Sequence, residues 1–138
     1  MHSCTRAACY LESRRKEALV SAGKFNQHAV YVLGEPIVVP DESRVTVALS
    51  SENLLLNAYR QQDFGVPSYL CVDTTHRLVR EGHCCMAVGT VSITQHFHII
   101  GYAICSHEDI RAHEHALHAI REAVDAVVAL RQAAGESI

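Results

Sequence analysis

The chain lacks the features that mark several classes of protein. No apolar run approaches the ~20 residues of a membrane-spanning helix, and no apolar stretch follows a basic segment near the start. The 12 lysines and arginines are outnumbered by 15 acidic residues, and the resulting net charge of −3 argues against a broad basic surface for binding phosphates. We therefore expect neither a membrane protein nor a secreted one.

The six cysteines include no CxxC pair, so the spacing typical of zinc fingers and redox-active dithiols is missing. Four cysteines fall in predicted strands, where cysteine behaves as a small hydrophobic residue. The adjacent Cys84 and Cys85 point to opposite faces of their strand, and the sequence shows no activating neighbour for either thiol. We expect reduced, structural thiols in an intracellular protein.

The ten histidines do not complete a known metal motif. Residues 113–115 read His-Glu-His, but the HExxH pattern of zinc proteases then needs a histidine at position 117, which is Leu117. His115 and His118 lie on one face of the predicted helix, and His96 and His98 share one face of a strand. A zinc site with ligands from both pairs stays open as an alternative.

The 138 residues fit one domain, and 49% hydrophobic with 20% charged residues is an ordinary globular composition. Three apolar runs rich in β-branched residues lie within residues 68–108. They cover residues 69–75, 84–93 and 97–105, and their short connections predict an antiparallel meander. The second run is almost continuously apolar, which predicts a strand buried on both faces.

A long amphipathic helix is predicted after the third run. It begins near Glu108 or Asp109, since acidic residues suit the positive end of the helix dipole. Apolar residues then recur at helical spacing: Leu117, Ile120, Val124, Val127 and Val128. Strands followed by this helix predict an α+β fold with a mainly antiparallel sheet.

The first part of the chain gives weaker patterns. Residues 8–22 predict a helix, residues 29–39 two short strands or a hairpin, and residues 44–49 a short strand. Ser50 or Ser51 then predicts the cap of a helix over residues 53–62.

Asp73 is the most informative single residue, because strand interiors normally exclude a short carboxylate. The residue directly follows an apolar run and precedes two threonines. In the structural interpretation, the carboxylate faces water at a strand end or pairs with Arg77. In the functional interpretation, it has a catalytic or metal-binding role. Sequence alone leaves both interpretations open.

The segment Asp73-Thr74-Thr75-His76-Arg77-Leu78 resembles the D-[GAT]-T-[YF]-[KR] signature of Mutator-like (MULE) transposases. In that family the first catalytic aspartate lies on the first strand of an RNase H-like domain. Residues 86–109 are similar to the family's second and third strands, and residues 112–120 resemble the helix after them. The resemblance covers roughly residues 45–130. His76 departs from it, because the family usually has an aromatic residue there.

The resemblance implies an incomplete RNase H-like domain over residues 45–138, preceded by an accessory segment over residues 1–44. It implies that Asp73 is catalytic and binds Mg²⁺, that DNA is the partner, and that the protein is nuclear, or otherwise cytoplasmic. In the meander the first and third strands end on the same side of the sheet, so Glu108 is a candidate second metal ligand.

The family's second catalytic aspartate and final glutamate lie well downstream of this helix, whereas the sequence stops at Ile138. We therefore expect a fragment or domesticated relic of a transposase that does not catalyse alone and whose C-terminal half is missing. The alternative is a small protein-binding or oligomerisation module, in which an open sheet edge pairs with another chain or a second copy.

Overall fold

The computed structural model describes residues 29–60, 69–76, 82–92, 94–133 and 135. These residues form the predicted α+β fold, an antiparallel sheet with two helices. The strands are β1 Val30–Val39, β2 Arg44–Ser51, β3 Tyr69–Thr75, β4 Cys84–Val91 and β5 Phe97–Cys105, and the helices are α1 Glu52–Arg60 and α2 Ile110–Ala133. The helix predicted over residues 8–22 lies outside the described residues.

The sheet has the strand order β1-β2-β5-β4-β3, and every neighbouring pair is antiparallel. The predicted meander is confirmed, since β3 pairs with β4 and β4 pairs with β5. The other side of β5 pairs with β2, so the last strand in the sequence lies in the middle of the sheet. Among the described strands, β1 and β3 form the two edges.

Strand β1 differs from its prediction as two short strands or a hairpin. It is one strand of ten residues with a bulge between Leu33 and Ile37, where Gly34 has a positive φ of 63°. Pro36 is tolerated because β1 is an edge strand and one of its sides needs no amide donor. Strand β1 pairs with β2 as far as Val39, which lies opposite Arg44.

Both helices pack on one face of the sheet. The larger core cluster joins Ala48, Val88 and Ile100 of the sheet to Leu55 of α1 and Ile120 of α2. A second cluster lies towards the start of α2 and consists of Cys84, Met86, Ala103, Cys105, Ala112 and Ala116. Small alanines let α2 lie close to the sheet.

Strand β4 is not buried on both faces as predicted. Its buried residues include Met86 and Val88 on the helix side, whereas Cys85 and Ala87 are half-buried on the other side. The reason is that an antiparallel sheet can be covered on one face, and the described helices cover only that face.

Both helix starts follow the predicted capping pattern. The Ser51 hydroxyl accepts a hydrogen bond from the Leu54 amide (3.3 Å), and an Asp109 carboxylate oxygen accepts one from the Ala112 amide (3.1 Å). Helix α2 buries an apolar stripe and exposes its polar side. Neither helix in the described part of the chain has the length and apolar character required to cross a membrane.

Leu56 should be one of the residues on which stability depends most, because only 2% of it is exposed. We expect Leu56→Ala to lower the free energy of unfolding by about 2–5 kcal/mol, since a buried side chain is replaced by a cavity. Urea denaturation followed by circular dichroism measures this. The matched control is Leu130→Ala, where the leucine is 58% exposed and the change should stay within about 0.5 kcal/mol. Equal effects of the two substitutions would contradict the packing of α1.

Candidate functional site

Three elements bring a group of reactive side chains together at one end of the sheet. Strands β3 and β5 both end there and β4 begins there, because β4 runs antiparallel between them. Thr75 lies opposite Cys85, and Cys84 lies opposite Cys105. We call the group formed by His76, Cys84, Cys105 and Glu108 the sheet-end cluster.

The imidazole of His76 lies between a thiol and a carboxylate. Its Nδ1 is 3.1 Å from Cys84 Sγ, and its Nε2 is 3.2 Å from Glu108 Oε2. One ligand atom from each of these three residues lies within 4.8 Å of the other two. The side chains of His76 and Glu108 are 62% and 30% exposed, whereas Cys84 is only 8% exposed. The thiol therefore forms the floor of the cluster, and the imidazole and carboxylate form its rim.

Cys105 adds a second thiol to this floor. It is fully buried and lies opposite Cys84 on the neighbouring strand. Burial, with smaller contributions from the neighbouring Cys84 and Glu108, raises the pKa of Cys105 to about 11. This thiol is therefore protonated at neutral pH.

The connection that carries Glu108 is anchored to β2 on both sides of that residue. Before it, the Ser106 hydroxyl accepts a hydrogen bond from the Val45 amide at 2.9 Å. After it, Arg44 contacts both carboxylate oxygens of Asp109, with Nη1–Oδ1 at 3.0 Å. Asp109 also caps α2. These contacts hold Glu108 at the sheet end.

Asp73, the principal predicted site residue, is not part of the sheet-end cluster. It lies in the middle of β3, exposed and opposite Ala87. Successive strand residues face opposite sides of a sheet, so Asp73 is on the side away from the described helices, whereas Thr74 lies opposite the buried Met86. His76 comes two residues after Thr74, so by the same alternation it belongs to the face of the sheet on which Thr74 lies. The proposed Asp73–Arg77 pair lies outside the described residues.

The other histidines proposed for zinc do not come together in the described residues in a group of three or more ligands. His118 Nε2 lies 3.1 Å from Glu122 Oε1 on the exposed side of α2, and His96 Nδ1 lies 2.9 Å from the Thr94 hydroxyl. Burial lowers the pKa of His115, with a further contribution from His118, so its neutral form is favoured. The alternative zinc site from these helical and strand pairs therefore gains no support.

Sequence reasoning missed the contact between His76 and Cys84. It found no activating neighbour for Cys84, whereas the His76 imidazole lies 3.1 Å away. One signal was available in the sequence: His76 stands where the resembled family usually has an aromatic residue. The Cys84 contact itself depends on the register in which β3 pairs with β4.

The ligands around Glu108 do not match the magnesium implied by the resemblance. Magnesium prefers oxygen ligands, whereas imidazole and thiolate suit zinc and similar softer ions. Asp73 supplies a single carboxylate and belongs to no group of three or more potential ligands in the described residues. Magnesium binding by Asp73 and Glu108 therefore stays a prediction, and we derive no reaction step through that ion.

Comparison with known proteins does not identify a relative for this chain. No family model matches the sequence, and neither the curated proteins nor the solved structures contain a significant match. The site is therefore interpreted from the chemistry of its own residues.

The ion pair at the start of α2 gives a prediction about pH. The hydrogen bond from Arg44, aided by the Ala112 amide, lowers the pKa of Asp109 from 3.8 to about 2. A depressed carboxylate pKa stabilises the fold above the unfolded value, and the stabilisation is lost as the pH falls from 3.8 towards 2. We expect Asp109→Asn to be less stable than the wild type at neutral pH, and the difference to shrink across this acidic range.

Urea midpoints measured from neutral pH down to pH 2 test this expectation. The control is Asp125→Asn, which alters an exposed carboxylate in the same helix. A stability difference between wild type and Asp109→Asn that does not change with pH would contradict the role of the ion pair.

Proposed function

We propose that this chain is the leading part of a Mutator-like transposase catalytic domain and does not cut DNA by itself. The proposal rests on the resemblance of residues 73–78 and on the order of elements. An aspartate on the first strand of an antiparallel meander is followed by a long helix, which is the order that the resemblance implies. DNA would be the partner of the complete relative, and the nucleus its compartment.

The position of Asp73 is the observation that carries this proposal. Its carboxylate lies inside a strand and is exposed to solvent. An exposed strand carboxylate is accessible to a metal ion. Two-metal phosphodiester cleavage needs several converging carboxylates, so one aspartate accounts for weak binding and no cleavage. The net charge of −3 further predicts weak DNA affinity for this chain alone.

Magnesium and manganese titrations of wild type and Asp73→Asn test the role of the carboxylate. We expect the wild type to bind with an affinity of about millimolar or weaker, and the substitution to remove that binding. We also expect neither protein to nick supercoiled plasmid DNA. Calorimetry measures the binding, and gel electrophoresis measures the nicking.

The control for these titrations is Asp125→Asn, which should bind the ions as the wild type does. If Asp73→Asn binds magnesium and manganese as the wild type does, Asp73 is not a ligand of these ions. If the wild type nicks plasmid DNA and Asp73→Asn does not, this result would contradict the proposal that the chain has no catalytic activity by itself.

A second candidate function is pairing through the open edge of β3. Three apolar residues of this strand are exposed: Tyr69 (67%), Leu70 (58%) and Val72 (38%). Beside the strand lies a cavity of about 380 Å³, whose walls include Leu70, Leu117 and Val124. Exposed apolar residues along a sheet edge favour the addition of another strand.

A second copy of the chain fits this edge. Two β3 strands that pair antiparallel around Val72 would place Leu70 opposite Thr74 and Cys71 opposite Asp73. No two carboxylates would then face each other, and the two valines would meet at the centre. The proposed occupant is therefore β3 of a second copy.

Val72→Lys should weaken this dimer, because two ammonium groups would meet at the centre of the pair. We expect the dissociation constant, measured by sedimentation equilibrium, to rise by about tenfold or more. Ile110→Lys is the control, since that residue is 75% exposed at the start of α2 and should leave the dimer unchanged. A wild type that stays monomeric at its highest attainable concentration would rule out the second candidate.

A further inference from the structure

The sheet-end cluster differs from an ordinary salt bridge at a protein surface. An imidazole and a carboxylate on the rim lie over two adjacent buried thiols, and the four side chains come from β4, β5 and the segments after β3 and β5. We propose that the sheet-end cluster is a binding site for a soft divalent cation, with Zn²⁺ the best match. His76, Cys84 and Glu108 are the proposed ligands, and Cys105 lies opposite Cys84 on the neighbouring strand.

The separations of the ligand atoms suit a small tetrahedral ion. Zinc lies about 2.3 Å from sulfur and about 2.0–2.2 Å from nitrogen or carboxylate oxygen, so its ligands are roughly 3.3–3.8 Å apart. In the cluster, one ligand atom from each of the three residues lies within 4.8 Å of the other two. An ion among them requires the His76 ring to turn, because its Nδ1 now faces Cys84 and its Nε2 faces Glu108.

Only one nitrogen of His76 can bind the ion, although both of its nitrogens now face a neighbour. The His76 side chain is 62% exposed, so the ring is free to turn. Glu108 is held from both sides by the contacts of Ser106 and Asp109 with β2. The carboxylate and thiols are therefore positioned in advance, and the imidazole closes over the ion.

The donor types select the ion. A thiol, an imidazole and a carboxylate are all ligands that zinc accepts, whereas magnesium requires mainly oxygen ligands. The buried floor also excludes most water from one side of the site, since Cys84 and Cys105 are 8% and 0% exposed. The cluster thus favours zinc over the magnesium that the family resemblance implies for Asp73.

A catalytic thiol is the competing explanation, because Glu108, His76 and Cys84 follow the carboxylate–imidazole–thiol order of a cysteine nucleophile. A nucleophile must be reached by its substrate, but Cys84 is only 8% exposed. A metal ion needs only the space among its ligands.

The ion would have a structural effect on β3. Among the described strands β3 pairs only with β4, and most of its residues are exposed. His76 comes directly after β3, and Glu108 comes directly before Asp109, the cap of α2. A metal ion bound by both residues would attach this edge strand to the helical layer. Zinc should therefore raise the stability of the whole chain and slow hydrogen exchange in β3.

The test uses the full chain without a histidine tag, titrated with Co²⁺ and then with Zn²⁺. We expect one ion per chain, a cobalt spectrum with thiolate charge-transfer and tetrahedral d–d bands, and displacement of cobalt by zinc. His76→Ala and Cys84→Ser should each weaken zinc binding by about 100-fold or more, since even outer-shell changes cost 10–100-fold. His76 is exposed, so its substitution should leave the circular dichroism spectrum unchanged.

Cys85→Ser is the matched control, because Cys85 is the next residue and lies on the opposite face of β4. It should bind zinc as the wild type does. A Cys4→Ser/Cys9→Ser double variant should also bind normally, which removes the cysteines outside the described residues from consideration.

Three results would overturn the proposal. The first is the absence of stoichiometric zinc or cobalt binding by the wild type. The second is a pattern of variants that does not match the ligands. Cys84→Ser and Cys85→Ser would lose zinc binding equally, or His76→Ala and Cys84→Ser would both bind zinc fully. The third is selective alkylation of Cys84 by iodoacetamide that zinc does not slow, which would favour the catalytic thiol. None of these results depends on whether the chain is related to transposases.

Discussion

The close packing of α2 on β5 is the interaction on which the rest of the structure depends. A side chain at Gly101 would place its Cβ 3.0 Å from Ile120 Cδ1, so glycine is what lets the helix approach the strand at this point. The ion pair between Arg44 and Asp109 fixes where the helix begins. With both constraints in place, the chain between β5 and α2 must pass the sheet end, and Glu108 is held there.

The alternation of side chains along β3 separates two kinds of chemistry. Asp73, a hard oxygen ligand, lies on the sheet face away from the described helices, whereas His76 contacts the Cys84 thiol on the helix side. The carboxylate that carries the resemblance to transposases and the soft ligands of the sheet-end cluster therefore do not form one site. The proposed metal binding by the sheet-end cluster therefore does not depend on whether Asp73 has a role.

The sequence predicted those elements whose signals are local. The apolar run over residues 97–105 coincides with β5, and the acidic residue expected at the helix start is the Asp109 cap. The continuous β1 was missed because Gly34 and Pro36 normally signal a turn, whereas an edge strand accommodates both through a bulge. Local patterns cannot tell a bulge from a turn.

The sheet-end cluster was only half predictable. The meander topology placed Glu108 at the end of the first strand, and the structure finds it there, but beside His76. The position of His76 depends on the sheet face that its place in the sequence gives it and on the register of β3 with β4, for which the sequence has no spacing motif. The two thiols come together because β4 and β5 pair in a register that sets Cys84 opposite Cys105. Such long-range register is not encoded in a short pattern.

X-ray absorption spectroscopy at the zinc edge, on the full chain loaded with one equivalent of zinc, is the most direct test of the sheet-end cluster as a metal site. The expected first shell contains one or two sulfur atoms at about 2.3 Å and nitrogen or oxygen atoms at about 2.0–2.2 Å. A first shell made only of nitrogen and oxygen would contradict it, because the thiols of Cys84 and Cys105 would then have no part in binding the ion.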